Sequence, residues 1–339
     1  MTGAARRALA CLVLGVLLVA GCTPDITDRI HRRTVLVFGT VIDIEVVAAP
    51  ASAKTALDTV ESYFERLHSD WYAFGNGELG RVNARLSNGR DAELSPELAT
   101  LLDRSLSIRA ASGGTFDPTI GDLVQLWGFG NEKNRRLQPP SETRIKDWLG
   151  NAAHRASIKL TDGRVVTDGP VTLDISALAK GAALEGAAGL LLEFGIENAV
   201  IDAGGDIKAI GSHPDRPWRI GIRHPRADKV LATVTMQPGE AIASSGDYQR
   251  FFESGDQRYH HVLDPRTGYP VQHTIAVTVI NDDAALADAA ATALMVNGPG
   301  HFLELTRALD LKYALLIDAD ENMLATQAMR QRLSLPDSP

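Results

Sequence analysis

The sequence predicts an α+β fold, mixed α/β in content: antiparallel and mixed sheets with helices packed against them, in one domain or two closely packed lobes. Three observations carry this. Runs rich in β-branched residues follow one another through the second half of the chain, as AVIDAGG, DIKAIG, WRIGIRH, KVLATVTM and EAIASSG, whereas a doubly wound sheet alternates strand and helix. Separate stretches carry apolar residues three and four apart, at Ser52 to Asp70, Ser95 to Gly114 and Leu178 to Phe194, the spacing of amphipathic helices. The composition, 339 residues of which 45% are hydrophobic and 22% charged, supplies enough apolar material for a sizeable core.

In chain order, Arg6 and Arg7 precede an apolar run, Ala8 to Ala20, that is too short to span a bilayer comfortably and ends as LVAGC. That pattern reads as an export signal. Val19-Ala20-Gly21-Cys22 resembles the lipobox of bacterial lipoproteins, which implies removal of residues 1–21, lipidation of Cys22 and a protein anchored at a bacterial membrane, facing the periplasm; a plain secretory signal or an uncleaved anchor is the alternative. Residues 22–33 are then a polar tether reaching at most ~40 Å when extended. The only cysteines are Cys11 and Cys22, so the mature chain has no disulfide and its core must hold it together.

The domain proper is expected over residues 34–330, followed by a tail at 331–339. Thr34 to Ala48 is two strands, or one strand kinked at Phe38-Gly39-Thr40. Ser52 to Asp70 is a helix, and Ser95-Pro96 opens another that Gly113-Gly114 closes. ETRIKDWLG is a shorter helix, and Ala156 to Asp174 reads as hairpins with Asp-Gly turns. Gly195 ends the Ala/Leu-rich helix from Leu178. After the run of strands come RYHHVLD and TIAVTVIN, helices at Ala284 to Asn297 and Pro299 to Leu309, and KYALLID as a last strand.

The helix from Ala284 has almost no polar face, so it should be buried nearly all round. Asp288 and Thr292, four residues apart, share one side of it. A carboxylate taken out of water costs several kcal/mol unless paired or bound to metal, and carboxylate and hydroxyl oxygens suit Mg²⁺ or Ca²⁺. Alternatively Asp288 accepts hydrogen bonds from loop amides and Thr292 bonds back to its own helix. LDISALAKG places Asp174, Ser176, the carbonyl of Ala177 and Lys180 around a helix start, where anions are favoured. GTFDPTIGDLVQLWGFG is a structured loop ending in aromatics, and the Gly-Gly of IDAGGDIKAIG marks a tight turn or close approach. In RYHHVLDPRTGYP, either one of His260 and His261 accepts a proton near neutral pH, or both simply alternate across a strand.

The formal charge of -8, with no cluster of basic residues, argues against nucleic acid as a partner. The chain also lacks the glycine-rich nucleotide loops, the His-Glu-x-x-His zinc motif and the Gly-x-Ser-x-Gly elbow.

Taken in order, FGT, ELGRVN, GTFDPTIGDLVQLWGFG, LDISALAKG, AGGDIKAIG, SSGDYQRF, HHVLDPRTGYP and LADAAATAL resemble the FAD:protein FMN transferases, the ApbE-like flavin transferases, from about Thr34 to Leu316. The resemblance implies a Mg²⁺-dependent exported enzyme that takes FAD as substrate, transfers FMN through a phosphoester to a threonine or serine of an acceptor protein, and releases AMP. It implies metal ligation by Asp288, Thr292 and the carbonyl of Ala177, and FAD contacts at Phe38, Thr115, Phe116, Asp117, Asp174, Lys180 and Val262. His261 is the implied catalytic base, with Lys180 a second positive charge on the phosphates. The implied acceptor is a membrane-associated redox subunit. Phe38 stands where methionine is usual, GNGELGRVN replaces a version with more Ser and Pro, and DAGG replaces a commoner Asn-x-Gly-Gly; these departures bear on flavin or acceptor preference more than on metal and phosphate. An FAD pyrophosphatase and a non-catalytic flavin-binding lipoprotein are the competing readings.

Overall fold

In the computed structural model, which describes residues 29–130, 136–151 and 157–335, the chain begins with a hairpin of β1 (Ile30–Val37) and β2 (Thr40–Val47). The expected signal, Cys22, residues 22–28 of the tether and the last four of the tail lie outside the described residues. The open reading of Thr34 to Ala48 is thereby decided in favour of two strands. They turn through Phe38 and Gly39, whose φ values of 55° and 71° are both left-handed, as a two-residue hairpin turn requires. Glycine takes that conformation freely and phenylalanine does not. Phe38 is held there because its N–H donates to His68 Nδ1 at 3.1 Å and its ring packs edge-on against Phe64 and His68.

β1 starts inside the expected tether, so residues 30–33 are strand. Its polar residues disguised it: Arg33 ion-pairs with Asp58 and Glu61 on the neighbouring helix, and Arg32 with Glu45 across the hairpin.

There follow α1 (Pro50–Asp70), α2 (Glu78–Leu86), β3 (Ala92–Glu93), α3 (Pro96–Ala111), α4 (Gly121–Trp127), α5 (Glu142–Gly150), β4 (Ile158–Thr161), β5 (Arg164–Thr167) and α6 (Ser176–Glu193). The Ser95 hydroxyl caps α3 by accepting from Leu98 N–H, and Asp162-Gly163 turns β4 into β5 with positive φ at both residues. Next come β6 (Ala199–Ala203), β7 (Asp206–Ile210), β8 (Arg219–Arg223), β9 (Val230–Thr235), β10 (Ala241–Gly246), β11 (Phe251–Ser254), β12 (Gln257–His260), β13 (Leu263–Asp264), β14 (Tyr269–Pro270) and β15 (Thr274–Asn281). The chain closes with α7 (Ala284–Asn297), α8 (Phe302–Ala308), β16 (Tyr313–Asp318), β17 (Met323–Ala325) and α9 (Gln327–Arg332). Among the described residues no helix is long and apolar enough to cross a membrane.

The main sheet runs in the order β1-β2-β6-β7-β10-β15-β16-β17, and every neighbouring pair in it is antiparallel. The α+β expectation therefore holds, with the sheet wholly antiparallel. Period-two alternation sorts its side chains. Ile42 and Ile44 of β2, Ala243 of β10 and Val277 and Val279 of β15 join α1, α6 and α7 in one large core. Ile207, Ile242, Ile280 and Leu315 face the other way and are covered by Trp218, Val234 and Met329 from the β8–β9 hairpin and α9. Being covered on both faces, β15 is buried along nearly its whole length. A third apolar cluster, including Trp127, Trp148, Phe252 and Leu263, joins α4 and α5 to the β11–β12 hairpin.

The expected tail at 331–339 is also corrected. Arg332 ends α9 with its guanidinium on the buried Glu240 carboxylate, at 2.5 and 2.8 Å, and Ser334 exchanges backbone hydrogen bonds with Thr233. Residues 331–334 thus belong to the fold.

Candidate active site

Three elements meet at one end of the sheet. Asp206 opens β7, Lys180 lies in the second turn of α6, and Asp288 lies in the second turn of α7. Lys180 Nζ is 2.9 Å from Asp206 Oδ2 and 3.3 Å from Asp288 Oδ1. Both carboxylates are almost fully buried. Asp206 also accepts from Ser244 N–H at 2.9 Å, and Asp288 from Gly181 N–H at 3.1 Å. That last bond requires α6 and α7 to touch backbone to backbone: a Cβ on Gly181 would lie 2.1 Å from the Ala284 carbonyl oxygen.

The two readings of the α7 helix are therefore resolved in part each way. Asp288 does accept an amide, but it also carries an ion pair. Thr292 does not bond back to its helix; its hydroxyl shares a 3.1 Å hydrogen bond with Ser245 Oγ of β10. The N-cap is Asp283, whose carboxylate accepts from Leu286 N–H.

All the residues named from the sequence, Phe38, Thr115, Phe116, Asp117, Asp174, Ala177, Lys180, His261, Val262, Asp288 and Thr292, line one cleft of about 1080 Å³. Their surroundings differ. Asp117 accepts from the N–H and hydroxyl of Thr119 and ion-pairs with Arg109 at 2.9 Å, so its carboxylate holds the loop in shape. Asp174 accepts from Ser176 N–H at 2.8 Å and so shapes the entry to α6. The Thr115 hydroxyl donates to Ser112 O, and Phe116 is buried beneath the loop.

The two histidines separate cleanly. His260 accepts at Nδ1 from Val262 N–H, so its Nε2–H donates to the Val271 carbonyl at 2.5 Å, deep in the fold. His261 lines the cleft, edge-on to Phe129, with a buried Nδ1 that has no hydrogen-bond partner among the described residues. Burial, then the positive charges of Arg250 and Lys180, push His261 well below the ordinary imidazole value. It is a neutral base at neutral pH.

Two buried carboxylates share one ammonium in this cluster. Burial and the neighbouring Asp206 raise the Asp288 carboxyl to about 7, against the opposing pull of Lys180. For Lys180, burial alone would lower the value, but the two carboxylates prevail and hold it raised, so the ammonium stays charged. A divalent cation fits this arrangement. Asp288, Thr292 and Ala177 all line the cleft, and a carboxylate, a hydroxyl and a carbonyl are hard oxygen donors of the kind such a cation takes. Among the described residues there is no group of three or more His, Cys, Asp or Glu that could hold a metal.

Sequence reasoning did not single out Asp206. Its signal was an aspartate directly after Gly204-Gly205 at the head of a strand, where only the glycines were read. Ser245 and Arg250 were seen within SSGDYQRF without a role.

Solved ApbE structures share this fold. An ApbE protein from Thermotoga maritima superposes with a TM-score of 0.81 at 29% identity over 89% of this chain and 99% of that one. The flavin transferase ApbE from Vibrio cholerae gives 0.79 at 27% identity over 90% and 99%. In sequence, the FAD:protein FMN transferase of Rhodobacter capsulatus is 37% identical over 98% of this chain, which spans 63% of that relative's length. The enzyme of that name from Vibrio cholerae is 30% identical over 90% of this chain and 92% of its own. The ApbE family profile matches residues 38–317; the chain belongs to the ApbE family.

Proposed function

We propose that this ApbE-family transferase moves the FMN half of FAD onto the hydroxyl of a threonine or serine in an acceptor protein, forming a phosphoester and releasing AMP. The acceptor oxygen bonds to the phosphorus of the FMN phosphate, the bond from that phosphorus to the AMP phosphate oxygen breaks, and the hydroxyl proton passes to His261. The observation that carries this reading is the Asp206–Lys180–Asp288 cluster, whose Lys180 and Asp288 line the same cleft as the neutral His261.

Each residue type has its work in such a transfer. Lys180 offers a permanently charged ammonium to diphosphate oxygens, and the free amides at the start of α6 add positive potential. His261, kept neutral by burial, takes the proton. Asp288, Thr292 and the Ala177 carbonyl would hold Mg²⁺, which when bound supplies Lewis acidity and charge neutralisation on phosphate oxygens. The cleft is at the large end for a small-molecule site, as a dinucleotide requires. In this reading the protein is exported, anchored through a lipid on Cys22 facing the periplasm, and acts on a membrane-associated redox subunit.

The test is incubation with FAD, Mg²⁺ and a candidate acceptor domain, followed by intact-mass measurement. Transfer makes the acceptor heavier by one FMN less water. Free FMN with an unmodified acceptor would instead make the protein an FAD pyrophosphatase, and unchanged FAD would make it a carrier.

A further inference from the structure

Among the described residues strand β8 has one free edge. It pairs there only with β9, and β9 is closed on its far side by Ser334: Thr233 N–H donates to Ser334 O at 2.8 Å and Ser334 N–H to Thr233 O at 2.9 Å. Those bonds fix which way β8 points. Thr233 stands opposite Gly221, and since both of its backbone groups are turned toward Ser334, Gly221 and Thr233 form a non-hydrogen-bonded pair. The N–H and C=O of Gly221 therefore point away from β9. By the period of two, those of Arg219 and Arg223 do likewise.

The flanking bonds agree, since Trp218 O accepts from Met236 N–H and His224 N–H donates to Lys229 O, both directed inward to the hairpin. No backbone partner meets the outward groups among the described residues. Gly221 lines the cleft, and with no side chain it does so with its backbone. An open strand edge is a template for another strand, and folds usually blunt it; here it is left bare with a glycine at its centre.

The charges beside it are one-sided. Arg219 and Arg223 flank Gly221, and among the described residues neither has a carboxylate partner: Arg219 reaches the Thr233 hydroxyl and Arg223 lies over the Tyr248 ring, 5.9 Å from its centroid. Tyr248 follows β10, whose Ser245 holds Thr292. The hairpin is clamped to this segment by Arg226, whose guanidinium bonds both oxygens of Asp247 at 2.7 and 2.6 Å. The edge is thus rigidly placed on the same cleft as the candidate catalytic groups.

We infer that β8 is the docking edge for the acceptor: an extended segment of the acceptor protein, bearing the reactive hydroxyl and flanked by acidic residues, adds as a third strand beside Gly221. This rests on the transferase reading and gives it a partner geometry. Backbone hydrogen bonds would supply affinity and the two arginines the charge preference.

The probe is a set of threonine-centred decapeptides with acidic, neutral or basic flanks, added to the FAD-loaded full-length protein. Acidic-flanked peptides should bind and slow hydrogen exchange at the Gly221 amide. Gly221→Pro, which deletes the outward N–H, should weaken that binding about tenfold or more while FAD affinity stays within about twofold. Because proline can disturb the hairpin, Arg219→Glu provides an independent variant, in which preference should swing from acidic toward basic flanks. Unaltered peptide affinity in both variants, no binding by any peptide, or loss of FAD affinity in Gly221→Pro would overturn the inference. The two readings fail separately: protection of Gly221 without FMN attached to any acceptor sinks the transferase, and FMN transfer to a protein acceptor with Gly221 unprotected sinks the edge.

Discussion

Lys180 sits closer to Asp206 than to Asp288, at 2.9 against 3.3 Å. The ammonium thus has a carboxylate partner of its own, apart from Asp288, the proposed cation ligand. With Asp206 removed, Lys180 would fall wholly onto Asp288 and compete with the cation there. For Asp206→Asn we expect the fold to survive, because the change removes a like charge from beside Asp288, and FMN transfer to slow by about tenfold or more. Steady-state transfer rates together with a thermal melt check this; a full rate in a folded variant would contradict it.

The raised Asp288 carboxyl makes metal-free stability depend on pH in a defined direction. Its value in the fold, about 7, lies above the ordinary ~4 of an unfolded aspartate, so the folded state binds the extra proton. That contribution to stability is fully present below about pH 4 and is lost as pH rises through about 7. The melting temperature of the metal-free protein minus that of Asp288→Asn should therefore fall between those values, and Mg²⁺ should flatten the difference near neutral pH. Asp288→Ala should keep the fold and lose Mg²⁺-dependent turnover; full activity in that variant would count against the cation site.

His261→Ala should lower the transfer rate by ~10²–10⁴ with FAD still bound, the range for loss of a positioned base. Since burial and nearby cations push its value well down, the acid limb of the wild-type rate profile should lie below the ordinary imidazole value of ~6.5. A limb centred at that ordinary value would assign the base elsewhere.

Arg332→Ala should destabilise the protein by about 3–5 kcal/mol, because it leaves the buried Glu240 carboxylate without its cation. Urea unfolding measures this, and Arg332→Ala paired with Glu240→Gln should recover much of the loss.

Much of the architecture was legible because its signals are local. Ser95-Pro96 announces a capped helix, and Asp162-Gly163 announces a turn with two positive φ values. α7 was legible for a different reason, a helical stretch with almost no polar face. What escaped was carried by distant partners. β1 begins with arginines whose match is on α1 and across the hairpin, α9 is tied down by a glutamate on another element, and short helices such as α2 and α4 offer too few turns for periodicity to speak. At the site, Asp288 and Thr292 stood out as polar residues on an apolar helix and Lys180 as a cation at a helix start, and the family resemblance supplied their expected roles. Asp206 was missed because its meaning lies in the ammonium opposite it, which sequence order does not bring near.

The bare Cα of Gly181 gives the chemistry an unusual dependence on volume. A single methyl there would strike the Ala284 carbonyl and wedge the two helices apart, and since Lys180 rides on one and Asp288 on the other, acid and ammonium would separate together. The charge state of the cleft is thereby governed by a hydrogen atom that is itself neutral, and the distance between helix axes becomes a setting for reactivity as much as for packing.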